Sequence, residues 1–205
     1  MSRALESRLP VEGSFWAELR ALYATPPRHY HTFDHVLEVL GWYDEVTAGP
    51  GWDRPEEALM AVLFHDAIYR CGATDNEAQS AIAARDAIAR WLLDVDAHRV
   101  AALILLTARH GALTPGQVDR DAALFLDCDM AILGAAPDDY RRYALLVAQE
   151  WAPVLPPGAF AAGRRAFLER LLASPAIYLT EMFTRRLEAR ARTNLATEIA
   201  QLAPP

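Results

Sequence analysis

Between short Pro/Gly clusters the apolar residues of this chain recur every three to four positions, and that period constrains the fold more than any other feature. The clusters are TPP (25–27), AGPG (48–51), LTPG (113–116) and LPPG (155–158), spaced as turns rather than as domain boundaries. The period predicts helices over 13–24, 32–47, 55–69, 76–93, 96–109, 116–133, 138–151, 159–173 and 177–202. The second carries Val36, Leu37, Val39 and Leu40, and the alanine-rich fourth carries Ile82, Ile88, Trp91 and Leu92. Asp53 near the N-cap and Pro55 in the first turn open the third. No stretch alternates with period two between hairpin turns. The expectation is an all-α, single-domain helical bundle spanning 1–205.

Composition narrows the function classes. Hydrophobic residues make up 53% of the chain and charged ones 23%, which suits a globular core. The formal charge of −7 disfavours long nucleic acids, because an acidic surface repels their phosphates. A small phosphorylated substrate stays open, since a metal ion or a few arginines reverse the field locally. The arginines of RRLEARAR (185–192) read as a solvated helix face. No apolar run approaches the roughly 20 residues of a membrane span, and the first residues lack the apolar segment of a secretory signal. Cys71 and Cys128 form neither a CxxC pair nor a disulfide framework, so the expected location is a reducing cytoplasm.

The segment MAVLFHDAIYR (60–70) places His65 and Asp66 inside an apolar run. Leu59, Val62, Leu63 and Asp66 fall at i, i+3, i+4 and i+7, so helical geometry directs the carboxylate toward the core, with His65 at the edge of the stripe. A lone buried carboxylate is costly and must be paired, protonated or bound to a cation. The same spacing turns further groups inward: His35 with Val36, Val39 and Leu40; Asp129 with Leu126, Met130 and Leu133; His110 with Val100, Leu103, Ile104 and Thr107. Asp127, the rival to Asp129, is rotated away by about 200° at 100° per residue. His35, His65, Asp66, His110 and Asp129 are thus five metal-capable side chains from four helices.

This arrangement resembles the HD superfamily of metal-dependent phosphohydrolases, all-α proteins with the signature H…HD…D. A wider likeness to a bacterial family of predicted HD phosphohydrolases runs through PRHYHTFDHVLEVL, LFHDAIYR…DNEAQSA, LTARH, FLDCDMAILG and FTRRLEARARTNL, from residue 27 to about 195. The resemblance implies a metal-site core at about 28–135 with the C-terminal helices, 138–202, packed on it. It implies that His35, His65, Asp66 and Asp129 hold one divalent transition metal. Histidine and carboxylate ligands suit Mn, Fe, Co, Ni or Zn, and Mg less well. It further implies hydrolysis of a small phosphate ester or nucleotide, with Asp66, Glu77 and His110 as catalytic groups and Arg28, His31 and Arg109 on the substrate. Thr74 and Glu77 also fit a capping box, Asn194 fits a tie between the last helix and the core, and Tyr30 and Tyr69 are candidates to stack on a base or sugar. His98, near a helix start, reads as exposed, which leaves too few ligands for two metals. Two other readings share these residues: a metal-stabilised regulatory or binding module without catalysis, and a di-iron HD-type oxygenase, which needs more ligands. The sequence leaves the oligomeric state open.

Overall fold

The computed structural model describes residues 9, 11, 13–25, 28–91 and 94–202. Among these residues the chain is all-helical, with nine α-helices, two short 3-10 turns and no strand. In chain order they are α1 (Gly13–Tyr23), α2 (Phe33–Ala48), α3 (Pro55–Phe64), α4 (Asn76–Trp91), α5 (Ala97–Leu106), α6 (Arg120–Met130), α7 (Pro137–Trp151), α8 (Pro157–Ala173) and α9 (Glu181–Gln201). The 3-10 turns Thr107–Arg109 and Ala131–Gly134 extend α5 and α6. Leu92, expected within the helix over 76–93, and the prolines of TPP lie outside the described residues.

The architecture turns on α3, whose residues Ala58 to Phe64 are all buried. A helix apolar on every side belongs in the interior, and α3 is covered by α2, α4, α5 and α6. Its start is held from outside the helix: the buried Asp121 carboxylate accepts from Asp53 N at 3.0 Å and Arg54 N at 2.8 Å. Pro55, which has no N–H to satisfy, occupies the first turn. Between α4 and α5 the packing is close, because α4 presents Ser80, Ala81 and Ala84. Ile82 is 50% exposed; small residues, not the larger Ile82, make the contact.

Several boundaries differ from the periodicity, each for an identifiable reason. The helix expected over 55–69 ends at Phe64, because side chains from elsewhere bind the backbone beyond it. Arg28 donates to the carbonyls of Asp66 (2.8 Å) and Ala67 (2.9 Å), and Ser80 both donates to and accepts from Ile68. Asn76 does the same for Arg70. The expected Thr74–Glu77 capping pair is not formed among the described residues; Asn76 and Ser80 anchor the start of α4 instead. The expected 116–133 helix begins at Arg120, where Asp119 caps it through Ala122 N. The last helix begins at Glu181 rather than 177. Asp127 accepts from Leu179 N (2.7 Å), Thr180 N (2.8 Å) and the Thr180 hydroxyl (2.6 Å), while Glu188 takes the N–H groups of Ile177 and Tyr178. Those bonds hold 177–180 out of the helix.

The buried apolar residues form one contiguous cluster that includes Leu9, α3 and Leu195. The C-terminal helices join it through the 3-10 turn Ala131–Gly134, against which α9 packs. Asn194 ties them as expected, donating to the carbonyls of Leu133 (2.9 Å) and Ala135 (3.0 Å). In RRLEARAR, Arg185, Arg186 and Arg190 are exposed, whereas Arg192 pairs with Glu188 and caps the end of α8 through Leu172 O. Among the described residues no helix is long and apolar enough to cross a membrane.

Candidate metal centre

His35 comes from the first turn of α2, His65 and Asp66 from the turn that ends α3, and Asp129 from the last turn of α6. Their polar atoms converge. The Nε2 atoms of His35 and His65 stand 3.2 Å apart. Asp66 Oδ2 lies 3.2 Å from His65 Nε2 and 3.8 Å from His35 Nε2. Asp129 Oδ1 lies 3.0 Å from His35 Nε2 and 3.5 Å from His65 Nε2. His35, His65 and Asp66 each bring one ligand atom within 4.8 Å of the others, a spacing able to hold a metal ion.

The residues expected to face inward do converge, but through a geometry that differs in part from helical stripes. Asp66 is not on a helix face; it sits in the turn beyond Phe64, and its approach to His35 depends on that turn being bent back. His110 lies past α5, immediately after the 3-10 turn, and its Nε2 is 2.8 Å from Asp129 Oδ2. The two oxygens of Asp129 therefore face different groups: Oδ1 the histidine pair, Oδ2 His110. Asp127 is buried as deeply as the cluster but faces α9, so it is a cap for that helix start rather than a fifth member.

Protonation follows from this packing. Burial alone would push the His35 imidazole down, but Asp129 and, from 3.9 Å, Glu38 outweigh it and hold His35 up at about 9. His65 is raised despite its burial by the Asp66 and Asp129 carboxylates. Burial would raise both carboxyls, yet the facing imidazoles hold Asp66 and Asp129 below the usual carboxylate range. Without a cation the four groups neutralise one another as buried ion pairs. His65 Nδ1 is 2.9 Å from Val62 O, an acceptor only, so that nitrogen carries a proton.

A supporting layer surrounds the cluster. Arg28 donates to the carbonyls of His31 (3.1 Å), Asp66 and Ala67, which spends its terminal nitrogens on the turn carrying Asp66. His31 stacks on Tyr69, with centroids 4.0 Å apart, and its Nδ1 is 2.6 Å from Glu150 Oε2. Glu150 Oε1 also accepts from the N–H groups of His29, Tyr30 and His31 at 2.7, 2.8 and 2.9 Å. Sequence reasoning missed Glu150, although it continues the inward stripe Tyr140, Tyr143, Val147 of α7. Arg109 is exposed and lines a small pocket with His110, Asp127 and Leu179. Glu77 is half-buried in the first turn of α4, with no hydrogen bond or ion pair to the cluster among the described residues. Tyr30 is buried against His35 and Tyr143, and His98 is exposed beside its cap, Asp96.

No protein-family model, curated protein or solved structure matches the chain.

Proposed function

We propose that the protein is a metal-dependent hydrolase of the HD type, acting on a small phosphorylated substrate such as a phosphate ester or nucleotide. One observation carries the reading: two buried imidazoles with nitrogens 3.2 Å apart, flanked by partly buried carboxylate oxygens from two different elements. Burying four ionisable groups for stability alone is a poor exchange, because apolar replacements of like volume are often as stable or more so. His35, His65, Asp66 and Asp129 would hold one divalent ion. Their mixed nitrogen and oxygen donors suit a first-row transition metal better than Mg.

A bound ion of this kind supplies Lewis acidity, polarising a phosphoryl oxygen and easing loss of a proton from water. The chain's own groups do the rest. His110 holds Asp129 Oδ2, leaving Oδ1 for the ion. Arg28 and the Asn76–Ser80 pair keep the turn beyond Phe64 bent, so that Asp66 stays beside His65. Glu150 orients His31, a candidate substrate contact, through Nδ1. Arg109, exposed and without an ion pair among the described residues, would meet phosphate charge. Glu77 remains a candidate for handling water, from the first turn of α4.

The test is an activity panel of phosphate esters, anhydrides and cyclic nucleotides, with protein loaded in turn with Mn, Fe, Co, Ni and Zn. Wild type should hydrolyse at least one class only when loaded. Asp66→Ala should lose bound metal and at least ~100-fold in rate, since even residues that merely support ligands cost 10–100-fold. Loaded protein that hydrolyses nothing, but melts higher than the metal-free form, would identify a structural metal module instead. Two irons per chain would point to oxygenase chemistry.

A further inference from the structure

Two buried polar atoms next to the histidine pair have no hydrogen-bond partner among the described residues: the hydroxyl of Tyr30 and Nδ1 of His35. Buried polar groups in folded proteins are almost always paired, often by an ordered water held between them. Both residues line the same cavity of about 200 Å³, whose walls also include Glu38, Trp42, Asp129 and Asp139. Their rings pack at 4.7 Å between centroids. Glu38 lies one turn along α2 from His35, and its Oε2 stops 3.9 Å from Nδ1, too far for a direct hydrogen bond.

The two histidines of the pair are thus supported differently. His65 has its Nδ1 proton fixed by the Val62 carbonyl, which leaves Nε2 to face the cluster. His35 presents Nε2 to the same point, but its Nδ1 meets a cavity and a carboxylate beyond it. An imidazole that ligates through one nitrogen needs an acceptor for the proton on the other, and that partner sets the ring's orientation and basicity.

We propose that Glu38 is the positioning residue of His35: a water in this cavity accepts from His35 Nδ1–H, donates to the Glu38 carboxylate and meets the Tyr30 hydroxyl. The proposal rests on the metal-centre reading above and adds residues to it. Tyr30 contributes its hydroxyl, the second of the two buried atoms that lack a partner among the described residues. The competing role for Glu38 is that of a solvated side chain, since 57% of it is exposed. The two roles differ in what removing the carboxylate does to a bound metal.

The experiment titrates Co(II) into the metal-free wild type and into Glu38→Ala, Glu38→Gln and Tyr30→Phe, following heat and the visible ligand-field spectrum. Melting temperatures of the metal-free proteins are recorded alongside. Glu38→Ala should bind about 10–100-fold more weakly, with a shifted spectrum, while melting like the wild type without metal. Glu38→Gln retains an acceptor oxygen and should recover most of the affinity. Tyr30→Phe should weaken binding by a smaller factor. If Glu38→Ala binds Co(II) with wild-type affinity and spectrum, or loses metal-free stability in step with affinity, the positioning role is overturned. A wild type that takes up no Co(II) overturns the metal centre itself, and this proposal with it.

Discussion

Four donors meet one carboxylate at Glu150: the N–H groups of His29, Tyr30 and His31, and His31 Nδ1. The side chain is fully buried, yet its carboxyl is held below its ordinary value of 4.5, because those donors, His31 foremost, outweigh the burial that would raise it. A carboxyl whose folded value is depressed stabilises the fold fully above its unfolded value, and that contribution is lost as pH falls through the folded value. Glu150→Gln should therefore cost about 2 kcal/mol at pH 7, the scale of hydrogen bonds to a charged group. The gap from wild type should narrow as pH drops below the ordinary carboxylate range. Urea midpoints of both proteins at pH 7 and pH 3 check this; a gap that stays constant refutes it. The residue was visible in the sequence as an acid on an apolar helix face, the same signal that singled out Asp129. Its partners were not, since they lie 119 to 121 residues away.

At the scale of elements, the join between the two halves is a steric fit. Gly134 ends the 3-10 turn after α6, and a Cβ there would stand 2.6 Å from Leu187 Cβ, 2.9 Å from the Tyr178 hydroxyl and 3.0 Å from Leu187 O. Two of these are a fixed backbone or near-backbone position on α9, so relief requires the helix to move. Gly134→Ala should destabilise by about 1–3 kcal/mol, as overpacking does, measured by urea denaturation. A neutral result would mean that α9 rides loosely on the turn. Nine helices were legible because amphipathic period and proline starts are local signals. Their ends were less so: α3 stops at Phe64 only because Arg28, Asn76 and Ser80 claim the backbone that follows, and α9 starts late because Asp127 and Glu188 hold residues 177–180.

Across the whole molecule, the proposed centre links α2, α6, the turn after α3 and the segment after α5, so an ion there would stabilise the entire fold. Saturation at about 100 times the dissociation constant adds roughly 2.7 kcal/mol. For a chain of this size that is a rise of about 5–10 °C in melting temperature. Wild type should show that shift with a transition metal and lose it with a chelator, and Asp66→Ala should show none; scanning calorimetry of the three states decides. By itself the sequence determined the all-helical class, the inward candidates His35, His65, Asp66, His110 and Asp129, and the acidic surface, because periodicity, capping chemistry and charge are properties of neighbouring residues. Only the tertiary structure decided that Asp129 divides its oxygens between the histidine pair and His110, that Asp127 serves α9 and that Arg28 clamps the turn carrying Asp66. Hydrogen bonds between groups 38 or more residues apart, such as Arg28 to Asp66 and Asp127 to Thr180, form only where the packing of the intervening helices brings donor and acceptor within 3 Å.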